Sequence, residues 1–341
     1  RVGVKNGGCA GMSYTMEWAD SVGPHDEIIE DKGVKVLIDP KAVMFLLGTE
    51  MDFKTDKLSV SYTHLTLPTL AMTTGGRGMP YSTANGLRIH YEDHGDGPPL
   101  IMIHANPYDR RLFTFQVAHF SNHFRCIAID IRGYGLSDKP TDPFTLEDMV
   151  QDVLGVCDDL GIQQAIFLGV SVGSGMALKI GLDHAQRARG LILVGGSSRP
   201  GGNIQKRIDA FTHIGPAKYR RDYMPELFAP GFPETTLGRW VMNLFCEDAH
   251  LLDGRSIARI FEARGSENML PRLPGLDMPV LVINGEYDNS LGRGKETAQN
   301  IPGAAHVVLP GTGHACCIED PAAFDAVMGD FLKDRGLWPQ G

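Results

Sequence analysis

Six short apolar runs punctuate the chain beyond residue 98: PLIMIHA (99–105), FRCIAIDI (124–131), QAIFLGV (164–170), GLILVGG (190–196), PVLVING (279–285) and AHVVLPG (305–311). Each is strand-sized and nearly free of polar residues, as suits strands buried on both faces of a parallel sheet. Amphipathic segments separate several of them. After Thr145, residues Met149, Val150, Val153, Leu154 and Cys157 recur at helical spacing, and Thr145 with Asp148 resembles a capping box, with Asp in place of the usual Glu. A last helix is expected to open at Asp320-Pro321 and to align Phe324, Val327, Met328, Phe331 and Leu332. Repeated strand–helix units of this kind demand an α/β fold: a mostly parallel sheet, right-handed crossovers and helices on its faces.

The alternation starts at about residue 79, where YSTANGLRIHYEDHG reads as a hairpin around Asn85-Gly86. It breaks at residues 200–273, which look helical and are expected to form a cap inserted over the sheet's active edge. Phe211, Tyr219, Tyr223, Met224, Phe228, Phe232, Trp240, Met242 and Phe245 fall there. More than half are expected in the cap's own core, and the rest to line an apolar acyl pocket. Residues 1–58 differ: short β-like runs, a hairpin at Asp31-Lys32-Gly33, and a helix expected from Pro40. Residues 59–78 read as a junction, strand-like until Pro68 and then a glycine-rich linker. The chain thus divides into a small β-rich extension (1–58), a linker (59–78) and an α/β domain (79–341).

A net charge of −9 argues against a nucleic-acid partner. No apolar run approaches the roughly 18 residues of a membrane span. Six cysteines with no CxxC pair read as free thiols, with adjacent Cys316 and Cys317 as space-fillers. With no leader pattern at the start, this points to a reducing, cytoplasmic compartment.

The chemistry centres on GVSVGSG. A strand candidate runs directly into Gly169-Val170-Ser171-Val172-Gly173, and a helix-like run follows. Small residues two before and two after let the backbone turn sharply and expose Ser171 in a strained conformation. A serine hydroxyl needs a base. His314, just after the run 305–311, is the candidate base. Asp288, just after 279–285, is the preferred acid to orient it, with Asp130 as the rival. An oxyanion would take the N–H of Val172 and a second N–H after the run 99–105, from Asn106 or else Ala105. His104 reads as a structural loop residue.

HANP, DIRGYGLSDKP, GVSVGSG, GEYD and GTGH, in this order and spacing, make residues 79–341 resemble the α/β-hydrolase family. The resemblance implies a Ser-His-Asp acyl-transfer site under a cap, without cofactor or metal. HANP is similar to haloalkane dehalogenases and RGYGLSDKP to epoxide hydrolases, but both groups place Asp where this chain has Ser171. The expectation is therefore a serine esterase acting on small-molecule esters, with a lactonase, carbon–carbon bond hydrolase or perhydrolase as alternatives.

Residues 1–58 resemble A-type iron–sulfur carrier proteins through RVGVKNGGCAGMSYTMEWAD and DKGVKVLIDPKAVMFLLGTEMDF. Cys9 matches one ligand of that family, and the C-terminal CxC that completes the set is missing. One thiolate cannot hold a cluster that needs about four ligands, so no iron–sulfur cluster is expected. SYTHLTLPT at the junction resembles translated adaptor sequence of the kind seen in metagenomic assemblies, which suggests a fusion; a natural linker is the alternative. Half of a β-rich domain leaves unpaired edges, so strand pairing between copies, and hence a homo-oligomer, is expected.

Overall fold

The computed structural model describes residues 80–201 and 204–339 and, of the first 79, only Ser21 and the strands. The chain divides into two compact units, residues 1–78 and 79–341. In the first, Met12–Met16, Val2–Asn6, Val34–Ile38 and Glu27–Asp31 form a four-stranded sheet in that order. Asp31 pairs with Val34 across the antiparallel pair, and the turn expected at Asp31-Lys32-Gly33 lies, but for Asp31, outside the described residues. Two ribbons pair Glu50–Met51 with Leu65–Thr66 and Lys54–Asp56 with Ser59–Ser61. The helix expected from Pro40 opens outside the described residues, and further along Glu50–Met51 is a strand. Cys9 also lies outside them.

The second unit is built on an eight-stranded sheet. Its strands are β1 (Tyr81–Ser82), β2 (Ile89–His94), β3 (Pro99–Ile103), β4 (Arg125–Ile129), β5 (Ala165–Val170), β6 (Ala188–Val194), β7 (Val280–Gly285) and β8 (Ala305–Leu309). The spatial order is β8-β7-β6-β5-β3-β4-β2-β1. Strands β3 to β8 pair in parallel, and the β1–β2 hairpin adds an antiparallel edge. The helices are α1 (Thr114–Phe120), α2 (Leu146–Asp159), α3 (Val172–Asp183), α4 (Ile204–Asp209), α5 (Pro216–Tyr223), α6 (Thr236–Glu247), α7 (Gly254–Gly265), α8 (Leu291–Gln299), α9 (Cys316–Glu319) and α10 (Pro321–Asp334). Helices α4 to α7, with a π turn at Ala210–Ile214 and several 3-10 turns, form an insertion between β6 and β7. No helix among the described residues is long and apolar enough to cross a membrane.

Successive residues of a strand face opposite sides, so one sheet feeds two cores. Ile101, Ile103, Ile127, Phe167 and Leu193 pack with Met149 and Val153 of α2 and with Met176 and Ile180 of α3. Leu100, Met102, Ile166, Leu168 and Val194 pack with Phe120 of α1 and with Phe324, Met328 and Leu332 of α10. Each such fully buried aliphatic side chain contributes about 1.5–3 kcal/mol. Double-sided burial is why these strands read as unbroken apolar runs.

The strand order also positions the site. The chain passes from β3 to β4 on one side, then to β5 on the other. The loops after β3 and β5 therefore diverge and leave a crevice at the strands' carboxyl ends.

Candidate active site

Strand β5 ends at Val170 and helix α3 begins at Val172, so Ser171 alone makes the turn. Its φ is 55° and ψ is −107°, the only positive φ of a non-glycine residue among those described. Such a conformation costs of order 1–3 kcal/mol and persists only where the surroundings enforce it. They do so here. Ser171 N donates to Val194 O of β6 at 2.8 Å, and Ser171 O accepts from Gly175 N at 3.1 Å. A Cβ on Gly169 would lie 2.2 Å from Gly173 O, and one on Gly173 would lie 2.1 Å from Ile103 O. Both flanking glycines are thus required by close backbone approach. The Val172 N–H sits in the first turn of α3, where a helix supplies no acceptor.

His314 follows β8 and Asp288 follows β7. The His314 Nδ1 lies 2.9 Å from Asp288 Oδ1. Both are buried, at 8% and 5% exposure. Burial alone would raise the Asp288 pKa, but His314, the Ser290 N–H at 2.8 Å and Asn284 Nδ2 at 2.9 Å outweigh it and hold the carboxyl well below the usual range. Ser290 Oγ donates a further bond to Asp288 at 2.8 Å. An ionised Asp288 keeps the proton of the neutral imidazole on Nδ1 and leaves Nε2 as the basic nitrogen.

The His314 loop is tied to the insertion. His314 N donates to Leu227 O at 2.7 Å, and Glu319 Oε2 accepts from Ala229 N at 2.8 Å and Gly313 N at 2.9 Å. Burial, the larger effect, raises the Glu319 pKa against these two donors.

Asn106 borders the same cavity as Ser171, Val172 and His314. Ala105 does not border it; it is fully buried, and its carbonyl accepts from Tyr108 N at 2.9 Å and from His104 Nδ1 at 3.0 Å. The other nitrogen of His104, Nε2, accepts from Ile131 N at 3.1 Å. Burial pushes the His104 pKa down. A neutral imidazole thus cross-links the loops after β3 and β4, the structural role expected from the sequence. Asp130, the rival acid, is elsewhere. It accepts from Arg110 N at 2.9 Å, Arg110 Nη1 at 3.0 Å and Leu136 N at 3.0 Å, and faces His90 Nδ1 at 3.1 Å. It braces the loop after β4 and has no contact with His314.

The cavity wall corrects one expectation. Of the nine insertion residues, fewer than half of which the sequence offers to an apolar acyl pocket, only Tyr219 lines the cavity, with Ile204, Leu227 and Phe261 as apolar neighbours. Phe211, Met224, Phe228 and Phe245 are buried elsewhere, and Trp240 is 42% exposed. Phe211 packs within the insertion, its ring centroid 4.1 Å from that of Tyr219, whereas Phe228 and Phe245 pack on Tyr108 in the loop after β3 and join the core of the sheet. The polar wall instead holds Arg199, Arg207, Arg264 and Arg293, none of which motif spacing singled out. Asn284, Ser290 and Glu319 were also missed, because each acts by supporting a neighbour and carries no motif of its own.

Among the described residues no group of three or more His, Cys, Asp or Glu is placed to hold a metal ion. Residues 1–78 contain one cysteine, Cys9. That donor set does not fit an iron–sulfur cluster, which takes about four ligands.

Comparison with known proteins separates the two units. The family model described as alpha/beta hydrolase fold matches residues 98–255. The 2-hydroxymuconate semialdehyde hydrolase of Pseudomonas sp. (strain CF600) is 30% identical over 267 residues, covering 74% of this chain and 92% of the relative. The crystal structure of the enol-lactonase from Burkholderia xenovorans LB400 superposes with a TM-score of 0.71 at 30% identity, over 74% of this chain and 100% of that one. The model for iron-sulphur cluster biosynthesis matches residues 1–64. There the iron-sulfur assembly protein IscA-like 3, mitochondrial, of Arabidopsis thaliana is 55% identical over 58 residues, 17% of this chain and 53% of the relative; the chain spans about half the length of that relative. Sheet order, the glycine-enforced serine turn and relatives matched over nearly their whole length lead to one assignment: through its second unit, the chain belongs to the alpha/beta hydrolase fold family.

Proposed function

We propose that this protein is a serine hydrolase that cleaves carboxylic esters through an acyl-enzyme. The observation that carries this reading is the strained Ser171 sharing a cavity with His314, whose Nδ1 is 2.9 Å from an ionised Asp288. Ser171 Oγ attacks the ester carbonyl and passes its proton to His314 Nε2. Asp288 stabilises the imidazolium that forms. The developing oxyanion takes the N–H groups of Val172 and Asn106. Collapse expels the alcohol, which carries away the proton from His314. Water then attacks the acyl-enzyme, again with His314 as base, and releases the acid and Ser171. The helical insertion is the cap over this site.

The relatives favour a second reading by the same residues: opening of a lactone, which is an internal ester, or hydrolysis of a carbon–carbon bond. A perhydrolase of the same fold is the remaining alternative. Hydrolysis of p-nitrophenyl esters of graded acyl length, compared between the parent and Ser171→Ala, decides. A loss of about 10⁴-fold or more in kcat supports the ester reading. Equal rates in parent and variant refute the site, and a parent inert on every ester moves the assignment to carbon–carbon cleavage.

A further inference from the structure

Among the described residues, the cavity holding Ser171 and His314 is lined by four arginines and by no carboxylate. Their partners distinguish them. Arg199 donates two bonds to Glu296, at 2.9 and 3.1 Å, and is neutralised there. The Arg207 guanidinium lies 5.8 Å over the Phe261 ring. Arg207, Arg264 and Arg293 have no ion-pair partner among the described residues, and of these three only Arg207 lies over an aromatic ring. Arg264 donates only to carbonyls, Glu267 O at 3.1 Å and Ser197 O. The Arg293 Nε–H is buried and has no acceptor.

Both line the cavity that holds Ser171 and His314. A Cβ on Gly175, four residues past Ser171 in the first turn of α3, would lie 2.7 Å from Arg264 Nε. A Cβ on Gly201, in the loop after β6, would lie 2.5 Å from Arg293 Nε. Two glycines therefore leave room for two guanidinium groups. Burial and, to a smaller extent, the charge of Arg293 lower the Arg264 pKa to about 10, against the pull of Glu267. Arg264 is still protonated at neutral pH. Two cations that repel one another in a desolvated cavity, without a counter-ion, are unfavourable unless an anion joins them. Guanidinium groups bind a carboxylate through directional, charge-assisted bonds.

We propose that Arg264 and Arg293 form an anion subsite, and that the substrate is an ester or lactone carrying a free carboxylate. The proposal deepens the serine-hydrolase reading and rests on it for the reaction. The subsite holds the carboxylate while Ser171 acts on the ester carbonyl of the same molecule.

The test compares substrates that differ by one carboxylate in place of a methyl: monomethyl glutarate against methyl pentanoate, and 4-acetoxybutanoate against butyl acetate, followed by proton release. The parent should prefer the charged member of at least one pair by roughly tenfold or more in kcat/KM, and that ratio should collapse in Arg293→Gln and Arg264→Gln. Equal or better use of the neutral member in both pairs overturns the subsite, as does a ratio unchanged in both variants. A separate calorimetric titration of Ser171→Ala with glutarate reads the subsite without turnover. Binding that weakens roughly tenfold or more when Arg293→Gln is added supports it, and no binding overturns it. Failure of all four esters with glutarate bound would therefore sink the ester reading and leave the subsite standing. The parent's preference and the glutarate titration decide even where a glutamine variant fails to fold.

Discussion

At Gly173 one methyl group would meet the backbone at the end of β3: a Cβ there lies 2.1 Å from Ile103 O and 2.8 Å from His104 O. Neither oxygen is the end of a flexible side chain, so relief requires the turn and β3 to move apart. Gly173→Ala is expected to cost about 1–3 kcal/mol, read as a lower denaturation midpoint, and to displace the neighbouring Val172 N–H. An unchanged midpoint would show that the turn is looser than its geometry implies. The residues of this turn are legible in the sequence because the requirement is local. A serine between two glycines at the end of an apolar run leaves few backbone paths. Asp288 and His314 are legible for a similar reason, each following a strand closely. Their supports are not: Asn284 and Ser290 are ordinary polar residues until the fold points them at one carboxylate.

Helix α2 shows what an element owes to its ends. Thr145 Oγ1 accepts from Asp148 N at 3.1 Å, and Asp148 Oδ2 accepts from Thr145 N at 2.7 Å, closing the capping box. The face that follows, Met149, Val150 and Val153, is fully buried. Thr145→Ala should lower stability by about 1 kcal/mol without altering the site; a much larger loss would mean that the cap also holds the loop before it. Caps and apolar periodicity operate within one turn, so α2 and α10 are readable from spacing. The insertion is readable as helical but not as to which rings face where. Phe211, Tyr219 and Phe261 come together from three separate elements, and no local period encodes that meeting.

At the scale of the molecule, both hydrophobic cores described above and every candidate site residue belong to residues 79–341. That unit alone is expected to keep the Ser171-dependent activity of the full chain within a few-fold, measured on the same ester. We propose that residues 1–78 drive self-association through their strand edges. Light scattering should then show a smaller particle for residues 79–341 than the loss of 78 residues explains, and an unchanged oligomeric state would remove the proposal. By itself the sequence determined the α/β class, the order of strands along the chain and the turn that exposes Ser171, because each depends on residues within a few positions of one another. Only the tertiary structure decided that β5 lies beside β3 and not β4, that Asn284 and Ser290 turn onto the Asp288 carboxylate, and that Arg264 and Arg293 line the cavity of Ser171. The physical reason is the same in each case: charge and packing act across space, between groups whose separation in the chain carries no trace of their distance.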